Sequence, residues 1–288
     1  MKTNNNPSTG KRILLHVVSF FLAITIVLIL AITSAGLTLF NDRDILSKVS
    51  GTNYFSQLNE DITIKCKTIA AKYGVEYKII AEVITPSKID ADMTVYFNSM
   101  KIQNPYDAGK TINTENLKKQ LIKKFEENNA FTTDSQKNLI NVIAGMIADE
   151  YKAAIVVEGF ETYLVFAREY KAISRYVLLG SLVVFAYLFC VIFVLNGKTQ
   201  KHKLLRRYAI SFGSAGLTIL CVSVIVKFTE VIERISFFEV EREYKLFVYM
   251  FTEYIKTFSI AGLFCVMTAV VLLALWYMSV TGRTKRFI

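Results

Sequence analysis

Apolar residues run without a charged neighbour at four places along the chain, roughly 13–40, 176–195, 208–226 and 257–282. Each run is close to or above the ~18 residues that an α-helix needs to cross a bilayer. The pattern therefore predicts transmembrane helices over 13–40, 176–196, 208–227 and 257–282. Between the first two the periodicity changes. From 52 to 73, Phe55, Leu58, Ile62, Cys66, Ile69 and Tyr73 recur three and four apart, the stripe of an amphipathic helix, and Gly74 closes it. After the short apolar piece Tyr77 to Ile84, Thr85 is placed to cap a helix that begins with Pro86. On that helix Ile89, Met93, Tyr96, Phe97 and Met100 share a face. Asn104 to Gly109 reads as a loop. From Thr114, Leu117, Leu121, Ile122 and Phe125 mark a third helix, with Lys118, Lys119, Lys123 and Lys124 on its wet side.

The order Thr133-Asp134-Ser135-Gln136 has the form of a capping box, and Leu139, Ile140, Ile143, Met146 and Ile147 follow on one face. No proline interrupts this segment before the second span, so it is expected to run nearly continuously into the membrane with a bend at Gly159. Alternation of the strand type is all but absent: Ala154 to Val157 is β-branched but brief. The fold class expected is an all-α integral membrane protein, four transmembrane helices with a helical extracytoplasmic domain inserted between the first and second. The segment 228–256 contains neither Pro nor Gly; Phe237, Phe238, Tyr244, Phe247, Tyr249, Phe251 and Tyr254 are interleaved with Glu239, Glu241, Glu243 and Lys245. Amphipathic aromatics favour the headgroup zone. A helix lying on the interface, or extending the fourth span outward, is expected there.

Charge adds an orientation. Lys2, Lys11 and Arg12 precede the first run; Lys198, Lys201, Lys203, Arg206 and Arg207 lie between the second and third; Arg283, Lys285 and Arg286 follow the fourth, and none of these segments holds an acidic residue. The stretch 41–175 sums to zero and 227–256 to −1, so the whole net charge of +10 lies on one side. Cytoplasmic flanks retain Lys and Arg. This places the tails 1–12 and 283–288 and the basic loop 197–207 inside, and 41–175 and 228–256 outside. The setting expected is a bacterial cytoplasmic (plasma) membrane. Contact of Lys198, Lys201, Lys203, Leu204, Leu205, Arg206 and Arg207 with the inner leaflet or a partner follows, and nucleic acid is not expected as a ligand. With 53% hydrophobic residues, 3 Pro and a mean hydropathy of +0.37, the composition excludes disorder and collagen-like repeats.

The first run exceeds the ~7–15 apolar residues of a signal peptide, so a retained helix is expected; cleavage after Ser34, Ala35 or Gly36 would leave three spans. Cys190, Cys221 and Cys265 fall in predicted spans, and Cys66 stands alone in the outer region, where no intrachain disulfide can form.

Candidate chemistry is sparse. The two histidines, His16 and His202, fall on the inner side, so no outer His-based triad or His-rich metal site is possible. Asp90 with Asp92, and Asp149 with Glu150, point to different faces of a helix and read as solvated charge. Glu239 and Glu243 lie at i, i+4 and could hold a cation. No phosphate-binding glycine loop or nucleophile elbow occurs, the apolar runs hold no ionisable pathway, and no cofactor is called for. Small residues at packing spacing do occur there: Ser19 with Ala23, Ala31 with Ala35, and Ala209 with Gly213 and Gly216.

The phrase Tyr73-Gly74-Val75-Glu76-Tyr77-Lys78-Ile79-Ile80 after the first outer helix resembles Firmicutes four-span membrane proteins of this size with a helical extracytoplasmic domain, a resemblance that implies no activity. In layout the chain is also similar to ABC-transporter permease subunits of the macrolide-exporter and cell-division type. That likeness implies a mixed α/β outer domain and a cytoplasmic ATPase docked on the inner loop. Two functions are therefore expected in competition: a non-enzymatic protein whose outer domain binds a protein, peptide or envelope partner, and a permease-like subunit of a transport or mechanotransmission complex.

Overall fold

A computed structural model describes residues 9–41, 47–49, 52–102, 105–128, 134–157, 159–196, 201–234 and 240–284. Among them the chain is helical and contains no strand, and four helices are long and apolar enough to cross a membrane. The capping residue Thr133 lies outside the described residues.

The chain divides into two compact units, one comprising Met1–Phe40, Glu169–Ile235 and Met250–Ile288, the other Asn41–Arg168 and Ser236–Tyr249. In the second unit, α2 (Tyr54–Tyr73) is followed by α3 (Tyr77–Val83), α4 (Pro86–Ile102), a 3-10 turn (Pro105–Thr111), α5 (Thr114–Glu127) and α6 (Asp134–Ile155). The apolar stripes read from the sequence become its core. Leu58, Ile62, Cys66, Met93, Tyr96, Phe97, Met100, Leu121, Phe125, Ile143 and Ile147 are all buried. Two register details differ from the periodicity. Tyr54, not Phe55, opens the buried face of α2, and Leu139 remains exposed.

The helix ends follow the residues that were expected to make them. Gly74 closes α2 in the left-handed conformation, φ +70°, and the backbone N–H of Lys88 donates to Thr85 Oγ1 (3.3 Å) at the start of α4. Asn113, a cap the sequence pattern did not mark, closes the start of α5, its side chain accepting from the Asn116 N–H at 2.9 Å. The stretch read as a loop from Asn104 to Gly109 is instead the 3-10 turn from Pro105 onward; the Pro and Gly content that signals a loop suits this tighter, shorter helix equally. The expected continuous run into the second span is broken. Helix α6 stops at Ile155 and α7 (Phe160–Asn196) starts afresh after Gly159, whose φ of +77° a residue with a Cβ adopts only with strain.

The first unit contains α1 (Thr9–Leu37), most of α7, α8 (Lys201–Phe228), the short α9 (Val231–Arg234) and α10 (Glu241–Thr284) from Met250 onward. Its interior gathers Val18, Leu22, Ala23 and Ile26 of α1, Ile192 of α7, Tyr208 and Ala215 of α8 and Cys265 of α10. Large apolar side chains also face outward, as at Phe20, Val183, Val194 and Phe264, each more than 60% exposed, the surface a lipid-facing helix needs. Small residues set the closest approach: a Cβ on Gly216 would stand 2.7 Å from the carbonyl oxygen of Gly262, and one on Gly213 would meet Ala269 at 3.4 Å.

Candidate functional site

The basic segment expected as a loop over 197–207 is helical from Lys201 on, because the inward face of α8 begins a turn before the charge-free run does. Leu204, Tyr208, Ser211 and Ala215 recur at helical spacing, and Leu204 packs against the interior cluster that contains Tyr208 and Ala215. The Tyr208 ring stacks on Phe189 at 4.0 Å and its hydroxyl donates to the Phe189 carbonyl at 2.8 Å. Leu204 is thus committed to the bundle, while Leu205 is half-buried and Lys203 exposed. Lys198 lies outside the described residues. Lys201 opens the helix.

Arg206 and Arg207 turn to different neighbours. The Arg206 guanidinium lies over the Trp276 ring of α10, 5.9 Å from its centroid. Arg207 Nη1 lies 2.9 Å from His16 Nδ1 of α1, and one turn further along Ser211 Oγ donates to the Ser19 carbonyl at 3.0 Å. The two helices therefore run side by side in the same direction, His16 and Ser19 facing Arg207 and Ser211. Among the described residues no carboxylate pairs with Arg206, Arg207 or Lys203.

Phe237 and Phe238 lie outside the described residues, as does Glu239. From Glu241 the chain enters α10, so the extension of the fourth span is the form adopted. Tyr244, Phe247, Tyr249, Phe251 and Tyr254 are all half-buried. Phe251 meets Tyr254 edge-on at 6.0 Å, and Tyr254 stacks with Phe258 at 5.8 Å.

One buried polar residue that sequence patterning missed, Arg242, makes three side-chain contacts. Arg242 is 7% exposed. Its guanidinium donates to the Asp61 carboxylate, to the Ala154 carbonyl (3.1 Å) and to the Tyr54 hydroxyl (3.4 Å). It joins α2 and α6 to residues 236–249 within the second unit. Burial pushes the Tyr54 phenol up to about 12 even though Arg242 pulls it down. Burial likewise raises the Cys66 thiol to about 11. The reading of Asp92 as solvated charge needs correction, since it accepts from the Tyr151 hydroxyl at 2.6 Å; Glu150 is exposed as expected and pairs at the surface with Lys65 at 2.8 Å. On α5, Lys124 reaches Glu82 at 3.2 Å and Glu127 at 3.3 Å.

Among the described residues no group of three or more His, Cys, Asp and Glu side chains is placed to hold a metal ion. The chain matches no protein-family model, and neither a curated protein nor a solved structure is similar to it.

Proposed function

We propose that the chain is an integral membrane protein with both termini inside, whose second unit stands on the outer side and binds a protein, peptide or envelope partner without catalysis. The segregated basic residues support the orientation. The observation that carries the binding reading is how the second unit uses its polar side chains. Arg242 is bound to Asp61, Tyr54 and the Ala154 carbonyl, Tyr151 is bound to Asp92, and Lys124 to Glu82. These groups hold the helices to one another. The side chains left outward include apolar ones, Ile64, Val95 and Val142, along with Lys119 and Lys123 of α5.

Photo-cross-linking residues placed at Ile64, Val95 and Val142 in growing cells test this reading. A discrete adduct that depends on position supports it. The permease-like alternative needs an apolar anchor on the basic segment, and Leu204 already packs into the bundle; an adduct formed from Leu205 with a cytoplasmic ATPase, and none from the outer positions, would overturn the proposal.

A further inference from the structure

The basic end of the first unit has a charge problem that the chain itself does not solve. Residues 1–40, 170–229 and 254–288 contain no Asp or Glu at all, so Arg206 and Arg207 have no carboxylate within the helices that carry them. Their contacts instead are aromatic and imidazole. The guanidinium of Arg207 donates to His16 Nδ1 at 2.9 Å, which leaves the imidazole proton on Nε2 and makes that nitrogen a further donor. Arg206 rests on Trp276. Three helices therefore bring two guanidinium groups, an imidazole N–H and an indole to one end of the bundle, all of them donors. The apolar side chains beside these residues, Val17 next to His16 and Ile210 one turn beyond Arg207, are 44% and 43% exposed.

We propose that this end is a binding site for the headgroup phosphate of an anionic phospholipid. A phosphodiester accepts bidentately from guanidinium, an indole ring favours the headgroup level, and the exposed Val17 and Ile210 give the acyl chains a surface to lie against. A free phosphate ion satisfies the donors but makes no use of those side chains, so the lipid is the occupant the site fits. The proposal rests on the four helices being spans and is independent of the outer partner.

Trp276 is the single tryptophan of the chain, so its fluorescence reports on this site alone. The full-length protein, purified and delipidated in nonionic detergent, is titrated with phosphatidylglycerol carrying brominated acyl chains, and in parallel with brominated phosphatidylcholine. Quenching by phosphatidylglycerol should saturate at concentrations roughly tenfold to thirtyfold lower, the preference two basic side chains confer at an anionic headgroup. Arg207→Gln should remove most of that preference, and Lys203→Gln, at an exposed position of the same helix, should keep it. Arg206→Gln, at an exposed position, decides the matter should the Arg207 variant fail to fold. Equal quenching by the two lipids overturns the proposal, as does an equal loss in the Lys203 and arginine variants, which marks a diffuse cushion of charge. Displacement of the brominated lipid by millimolar inorganic phosphate would assign the site to a soluble anion and sink the lipid.

Discussion

The guanidinium of Arg242 donates to the carboxylate of Asp61 across 181 positions of sequence, and the two ends of that contact are unequal: the Arg242 side chain is 8% exposed and that of Asp61 43%. The buried end also serves two neutral acceptors, the Tyr54 hydroxyl and the Ala154 carbonyl, so removing it strands more than the ion pair. Arg242→Met leaves the Tyr54 hydroxyl and the Ala154 carbonyl short of a donor and should lower the stability of the second unit by about 2–4 kcal/mol. Asp61→Asn keeps a neutral acceptor and should cost about 1–2 kcal/mol. Thermal unfolding of the full-length protein in detergent, read beside limited proteolysis at Asn41–Arg168, measures both. Equal losses for the two variants would mean that the pair acts as an exposed ion pair and that the burial of Arg242 is incidental.

This contact also marks where reading the sequence stops. Leu58, Ile62 and Cys66 declare a buried face because helix periodicity is local, and Gly74 and Thr85-Pro86 declare ends for the same reason. Arg242 sits among Glu241, Glu243 and Lys245, a pattern that looks solvated from any single window; its partner lies in another helix that only the folded chain brings near. Asp92 looks solvated for the same reason, since Tyr151 is 59 positions away. At the basic end the cause is different. The charges ended the apolar run at Tyr208, but Leu204, four residues earlier, continues the same helical face, so α8 starts where the charges are. Gly216, by contrast, was legible as a packing residue, although its partner Gly262 was not.

A side chain on Gly216 should separate α8 from α10. The Cβ of Gly216→Ala would stand 2.7 Å from the Gly262 carbonyl oxygen and 2.9 Å from the Val266 nitrogen, and backbone cannot step aside as a flexible side chain can. A loss of about 1–3 kcal/mol is expected, the usual range for overpacking. Gly180→Ala, with nothing within 4 Å of the new methyl group, should fall within about 1 kcal/mol of the parent or above it. Parallel thermal melts in one detergent compare them. A Gly216→Ala melt at or above the parental temperature would refute the close crossing.

Cys66 should behave as an inert thiol in the native state. It is 2% exposed and burial raises its thiol to about 11, so at pH 8 the thiolate is on the order of one part in a thousand. In a variant with Cys190, Cys221 and Cys265 replaced by Ser, iodoacetamide should react only as fast as the second unit opens. The linkage has a definite sign. Because the folded value lies above the ordinary 9, the stabilising contribution is complete below pH 9 and is lost as pH climbs to about 11. Alkaline melts of the parent and of Cys66→Ala should therefore converge over that interval. Rapid alkylation at neutral pH without loss of structure would contradict the buried position.

The orientation of the whole chain can be tested at two exposed positions. Asn128, at the end of α5, lies in the second unit, and Lys203 lies near the start of α8 in the first. Positive charge is retained on the cytoplasmic side during insertion, and the segment carrying Lys203 holds five basic residues and no acid, whereas 41–175 is neutral overall. Single cysteines introduced at Asn128 or Lys203, in a background lacking the four native ones, should respond oppositely to a membrane-impermeant maleimide added to intact cells. Asn128→Cys is expected to label at once, and Lys203→Cys only after the membrane is opened. Adding a detergent step to the same samples controls for a thiol that is shielded by protein instead of by the bilayer. Labelling of Lys203→Cys from outside would reverse the orientation, and with it move the proposed phosphate site to the opposite leaflet. Labelling of both positions from outside would instead break the four-span topology, in which one crossing, the helix Phe160–Asn196, lies between them.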